Sequence, residues 1–96
     1  MTEKELIKII NRQINTAFAE DASMQALQDM LIEFVNNLIQ NDFKKLVAIL
    51  YKVDVDENKL KKILKENKEA DAANIICRLI IEREIQKIET RRQFGS

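Results

Sequence analysis

The chain has no proline, no histidine and no tryptophan, and its one glycine is the second-last of 96 residues. Each absence excludes something. Sheets and tight hairpins are built on Gly- and Pro-containing turns, so a chain without them is expected to be all-α. Without histidine the commonest general base is gone, and with it the serine and cysteine hydrolase triads and most zinc and di-iron sites. Cys77 is the sole cysteine and cannot close an internal disulfide. No glycine-rich phosphate loop exists. No segment approaches the ~20 apolar residues that span a bilayer, and the opening MTEKELIKIINRQ lacks the unbroken apolar core of a secretory signal. The expectation is a cytoplasmic protein that is not an enzyme, with no cofactor, no membrane and no small-molecule substrate.

An excess of one charge is also missing. Sixteen basic and sixteen acidic residues cancel, so no global field draws in nucleic acid or acidic lipid. The balance is nevertheless uneven along the chain. Residues 1–40 hold three basic and six acidic side chains, residues 41–96 hold thirteen and ten, and no Lys or Arg occurs between Arg12 and Lys44. Such a split suits packing of the two halves or head-to-tail association between chains; uneven solvation of helix faces is the simpler reading.

What is present is a chain 46% apolar and 33% charged, arranged in helical period. The predicted fold is a compact all-α bundle of four or five helices in one domain, residues 1–94, with Gly95-Ser96 read as a cloning remnant. Its centre is predicted at Asp71 to about Gln93, with Asp71 as N-cap and Ala70 stapling onto Ile75. Ile75, Ile76, Cys77, Leu79, Ile80 and Ile81 spread almost all the way round this helix, the pattern of a buried element. Past Ile81 one stripe remains, Ile81, Ile85 and Ile88, so the second half should reach along or past the core.

Ahead of it, Thr2 and Glu5 have capping-box spacing and start a first helix near residue 3. Its buried stripe is Leu6, Ile7, Ile10, Ile14, Ala17 and Phe18, with Ile9 turned away. A break at Glu20–Ser23 follows, and Asp21 or Ser23 caps a second helix to about Gln40 with the stripe Met24, Leu27, Leu31, Phe34, Val35 and Leu38. A break at Asn41, with Asp42 opening a third helix, is preferred to one continuous helix. Phe43, Leu46, Val47 and Leu50 continue the apolar period with Ile39. Asp54 and Glu57 then read as the cap of a fourth helix, about Val55 to Glu66, burying Leu60, Ile63 and Leu64. Asn67 is expected in the left-handed C′ position.

Three patterns carry candidate chemistry. Asp54, Asp56 and Asn58 alternate like the start of a calcium loop, but Lys59 and Lys65 stand where Gly and the bidentate Glu belong, so no metal site is expected. Arg83, Lys87 and Arg91 form one basic line, and Lys59, Lys61, Lys62, Lys65 and Lys68 crowd the helix before it. These would hold phosphates in a nucleic-acid-binding accessory protein. Glu82, Glu84 and Glu89 interleave with that line as a solvated face does, and Glu84/Lys87 and Glu89/Arg92 have helix-pair spacing. Ile81, Ile85 and Ile88, with Phe94 beyond, have the spacing that helix pairing needs. Helix one, a second copy or another protein can cover them. Cys77 on the same face reads as a small buried hydrophobe.

The runs DFKKLVAILYKVDVDENKLKKIL and DAANIICRLIIEREIQKIETRRQF, over about residues 42–94, resemble a group of short helical proteins of Bacteroidetes-type bacteria. The resemblance implies a small cytoplasmic bacterial protein; the group has no assigned activity, so no functional residue is carried over. The function expected from the residues is protein–protein interaction or scaffolding, including self-association.

Overall fold

The computed structural model describes residues 2–94, with the backbone alone for Glu69, Ala70 and Phe94. Among these residues five helices and no strand occur: α1 (Glu3–Ile14), α2 (Met24–Asn41), α3 (Phe43–Val53), α4 (Glu57–Glu66) and α5 (Glu69–Phe94). The chain is an all-α bundle.

Short polar side chains set most of the boundaries. Thr2 accepts the Glu5 N–H at 3.2 Å, Ser23 that of Ala26 at 3.1 Å, and Asp42 that of Lys45 at 3.2 Å. Each satisfies a donor that the first helical turn leaves without a partner. Asp42 also ends α2, its own N–H reaching the Leu38 carbonyl at 2.9 Å. The break at Asn41-Asp42 is therefore real, and α2 and α3 are separate helices.

Other boundaries differ from the expectation, each because a polar residue bonds locally. Helix α1 stops at Ile14, where Asn15 turns left-handed at φ 57°. Asn11 then gathers the loop: its Nδ2 donates to the Phe18 carbonyl, and its Oδ1 accepts from the Phe18 N–H and the Thr16 hydroxyl, all within 3.0 Å. Ala17 and Phe18 thus belong to a loop. Ala17 is exposed, while Phe18 packs edge-to-face on Phe34 with centroids 6.2 Å apart.

Asp54 closes α3 in the left-handed region at φ 72° rather than opening α4. Asp56 caps α4 instead, accepting the Asn58 N–H at 2.9 Å. Asn67 is extended (φ −129°, ψ 152°), not left-handed, and places both its N–H and its Nδ2 on the Ile63 carbonyl. Helix α5 starts at Glu69, so Asp71 sits inside its first turn; the Lys68 carbonyl takes the Ala72 N–H at 2.8 Å. The expected staple from Ala70 lies outside the described side chains.

Helix α5 is the centre of the bundle. Its 26 residues run about 39 Å at ~1.5 Å rise each, matching the 40 Å long axis of the molecule. It packs against all four other helices, most extensively α2. Ala72, Ala73, Ile76, Cys77, Ile80, Ile81 and Ile88 are buried. Leu6, Ile7 and Ile10 of α1, Leu27, Leu31 and Val35 of α2, Leu46 and Leu50 of α3, and Leu60 of α4 join them in one core. The last turns of α5 do not overshoot. Ile88 shares that core with α1, and Arg92 reaches Glu5 at 3.4 Å. Arg92 therefore pairs across helices, not with Glu89.

Candidate partner-binding groove

A groove of about 360 Å³ lies between helices α2 and α5. Met24, Gln28 and Ile32 form one wall, a row at i, i+4, i+8 along α2. Asn74, Cys77, Arg78, Ile81, Glu82 and Ile85 of α5 form the other. The floor is apolar: Cys77 and Ile81 are buried, and Met24, Ile32 and Ile85 are partly buried against the core. Polar and charged groups are confined to the rim.

The Cys77 thiol points to the Gln28 carbonyl, 3.7 Å away. Burial pushes it up to about 11, against the pull of Arg78 and with a further push from Asp29. A thiol so far from ionisation is a hydrophobe at neutral pH, not a nucleophile.

Two of the four residues singled out for partner binding, Ile81 and Ile85, therefore line the groove. Ile88 is 8% exposed and belongs to the core; the Phe94 side chain lies outside the described residues. Ile9 is half-buried against the core.

The basic residues are dispersed and partly neutralised. Arg83 holds Asp54 at 2.8 Å and Gln86 at 3.0 Å. Lys87 holds Glu84 at 2.8 Å, and Lys61 lies 3.6 Å from Glu57. Arg91, Lys59, Lys62, Lys65 and Lys68 are exposed and carry no ion pair among the described residues. Asp54 and Asp56 are taken up by Arg83 and the Asn58 N–H, and no cluster of three or more potential ligands occurs among the described residues.

Two features run against the sequence pattern. Glu84 is 1% exposed, a core residue rather than one of a solvated face. It occupies the position between Ile80 and Ile88 in an otherwise apolar i, i+4 row, and that register was the available signal. Its Oε1 meets the Lys87 ammonium without an aligned hydrogen bond. On α3 the buried residues are Leu46, Ile49, Leu50 and Val53, while Phe43 is 43% and Tyr51 86% exposed. The helix is rotated from the expected stripe, so that Phe43 is largely exposed and Val47 is only partly buried at the edge of the core.

A wider depression of about 600 Å³ beside the Thr16–Asp21 loop is lined by Asn11 and Thr16, whose side chains already bond each other. Lys4, Glu20 and Asp21 also line it, so its walls are more polar than those of the groove. No helix is long and apolar enough to cross a membrane among the described residues. No family model, curated protein or solved structure matches the chain.

Proposed function

We propose that the chain is a protein–protein interaction module, a scaffold-type helical bundle that seats the apolar ridge of another helix in the α2–α5 groove. The observation that carries this is the groove itself. Its apolar floor of Met24, Ile32, Ile81 and Ile85 is open between two well-anchored helices, and its rim of Gln28, Asn74, Arg78 and Glu82 offers polar contacts of both signs. An apolar floor with a polar rim is the form of helix-in-groove recognition. The lone buried thiol fits a reducing, cytoplasmic setting.

The test is a titration of the isotope-labelled protein with a designed amphipathic helical peptide carrying leucines at i, i+4 and i+7. Amide shifts gathered on Gln28, Ile32, Cys77, Ile81 and Ile85 support the reading. Shifts located elsewhere, or none at millimolar peptide, refute it. A second reading, phosphate binding by the unpaired lysines of α4, makes a different prediction: duplex binding at low salt that falls steeply as salt rises.

A further inference from the structure

We propose that Arg83, Lys87, Thr90 and Arg91 of α5 form a binding site for a compact phosphate dianion, free or carried on a small organic molecule. The site is independent of the α2–α5 groove. These four side chains line a recess of about 290 Å³. They fall at i, i+4, i+7 and i+8, one face of a single helix over about 12 Å. Three are cations, one is a hydroxyl, and no carboxylate lines the recess. The groove, the loop depression and the recesses beside Asp54 and Phe34 each include at least one carboxylate. Glu82 and Glu89 alternate with the basic line in sequence, but at 100° per residue they lie more than about 120° from its centre.

Two of the cations are held in place with donors to spare. Arg83 donates from Nη2 to Asp54 at 2.8 Å and from Nη1 to Gln86 at 3.0 Å, which uses two of the five N–H groups of a guanidinium. Lys87 meets Glu84 without an aligned hydrogen bond, so its ammonium donors are unspent. Their side chains are 31% and 20% exposed, and solvent screens them less than it screens a free surface cation. Heads already pinned lose little freedom when a ligand arrives. Thr90 and Arg91 are exposed with no side-chain partner among the described residues, and can close over it. The helix dipole accounts for cations in the last turn, Arg91 and Arg92, but not for Arg83 and Lys87 further up. A guanidinium, an ammonium and a hydroxyl match the three oxygens of a terminal phosphate. Arg83, Lys87 and Arg91 against Asp54 and Glu84 leave one net positive charge, enough for a single phosphate. A nucleic-acid strand continues with a charge about every 3.4 Å, and the adjoining recess would meet it with Asp54, Asp56 and Glu82.

The experiment is a nuclear magnetic resonance titration of the reduced, isotope-labelled full chain with inorganic phosphate at about pH 8, where phosphate is a dianion. Sodium chloride holds the ionic strength constant. Saturable shifts gathered on Arg83, Lys87, Thr90 and Arg91 are expected. Arg91→Gln, at an exposed position without a partner, should weaken binding about tenfold, the loss of one charge-assisted hydrogen bond. Lys62→Gln removes the same charge from α4 and should leave binding unchanged. Shifts that never saturate, or none in the tens of millimolar, overturn the site, as does equal weakening by the two variants, which marks diffuse attraction. Glycerol phosphate separates the two sources of the ligand. Tighter binding than inorganic phosphate at the same residues identifies an organic phosphate, equal binding identifies free phosphate, and both support the site. A short DNA duplex bound more tightly than either, and weakened by Lys62→Gln, overturns the compact ligand in favour of nucleic acid.

Discussion

Replacing Lys87 with methionine is expected to damage the fold far more than replacing Glu84, although each change breaks the same pair. The Glu84 side chain is 2% exposed and that of Lys87 20%, with nitrogen and oxygen 2.8 Å apart. At that distance the attraction is about 6 kcal/mol for an effective dielectric of about 20. Taking both charges out of water costs several kcal/mol per ion, so the net worth of the pair is near zero. The single replacements are not symmetrical. In Lys87→Met the carboxylate stays buried beside its apolar neighbours with no counter-charge. Stranding a fully buried charge costs about 3–5 kcal/mol; the fifth of Lys87 that is exposed lets water approach, which lowers the expectation to about 2–4 kcal/mol. In Glu84→Met the lysine stem can stretch and carry its ammonium to solvent, so a change between neutral and about 2 kcal/mol stabilising is expected. The double variant should recover most of the loss. Urea unfolding followed by far-ultraviolet circular dichroism measures all four proteins. For a domain of this size, Lys87→Met should also lower Tm by roughly 10–25 °C. Equal costs for the two single replacements, or a Lys87→Met protein within about 0.5 kcal/mol of wild type, would refute the reasoning.

Two further expectations concern single side chains. Asn11→Ala removes three bonds that hold the loop after α1, and at about 1 kcal/mol net each it should cost about 2–3 kcal/mol by the same unfolding assay, with faster amide exchange at Phe18. Cys77 has its thiol raised from 9.0 to about 11, so its neutral form contributes stability that is complete below pH 9 and lost as pH rises through about 11. Alkylation of the native protein at pH 8 should be much slower than in urea, and Cys77→Ala should flatten the loss of stability between pH 9 and 11. Equal alkylation rates in the native and unfolded states would contradict the burial.

Where the sequence reading succeeded, one local rule acted without competition. Thr2 and Asp42 cap helices because hydroxyl and carboxylate oxygens reach amides three residues on, whatever lies around them. The buried row of α5 through Ile76, Cys77, Ile80 and Ile81 was legible from its apolar crowding, but the helix is not buried all round: Asn74, Arg78 and Glu82 turn outward and Ile75 and Leu79 are only partly buried. Failures came where two local rules competed. Asn11 and Asn15 outbid the continuing apolar period at Ala17 and Phe18, and Asp54 and Asp56 each suited a cap, the choice resting on which backbone turned left-handed. Of the groove, Ile81 and Ile85 were visible as a stripe; Met24 was read as core and Ile32 was not singled out, since nothing in one helix says which of its apolar residues a neighbour leaves partly uncovered.

The helical class, the central place of α5 and the identity of most core rows were determined by the sequence alone. Periodicity and capping act within one turn of helix and need no partner. The rotation of α3 that leaves Phe43 and Tyr51 in solvent, the burial of Glu84, the burial of Ile88 and the groove between α2 and α5 were decided by the tertiary structure. Each of these depends on how close packing sets one helix against another. An amphipathic arc wider than a single contact can satisfy that packing in several rotations, and the choice is made by the other four helices together.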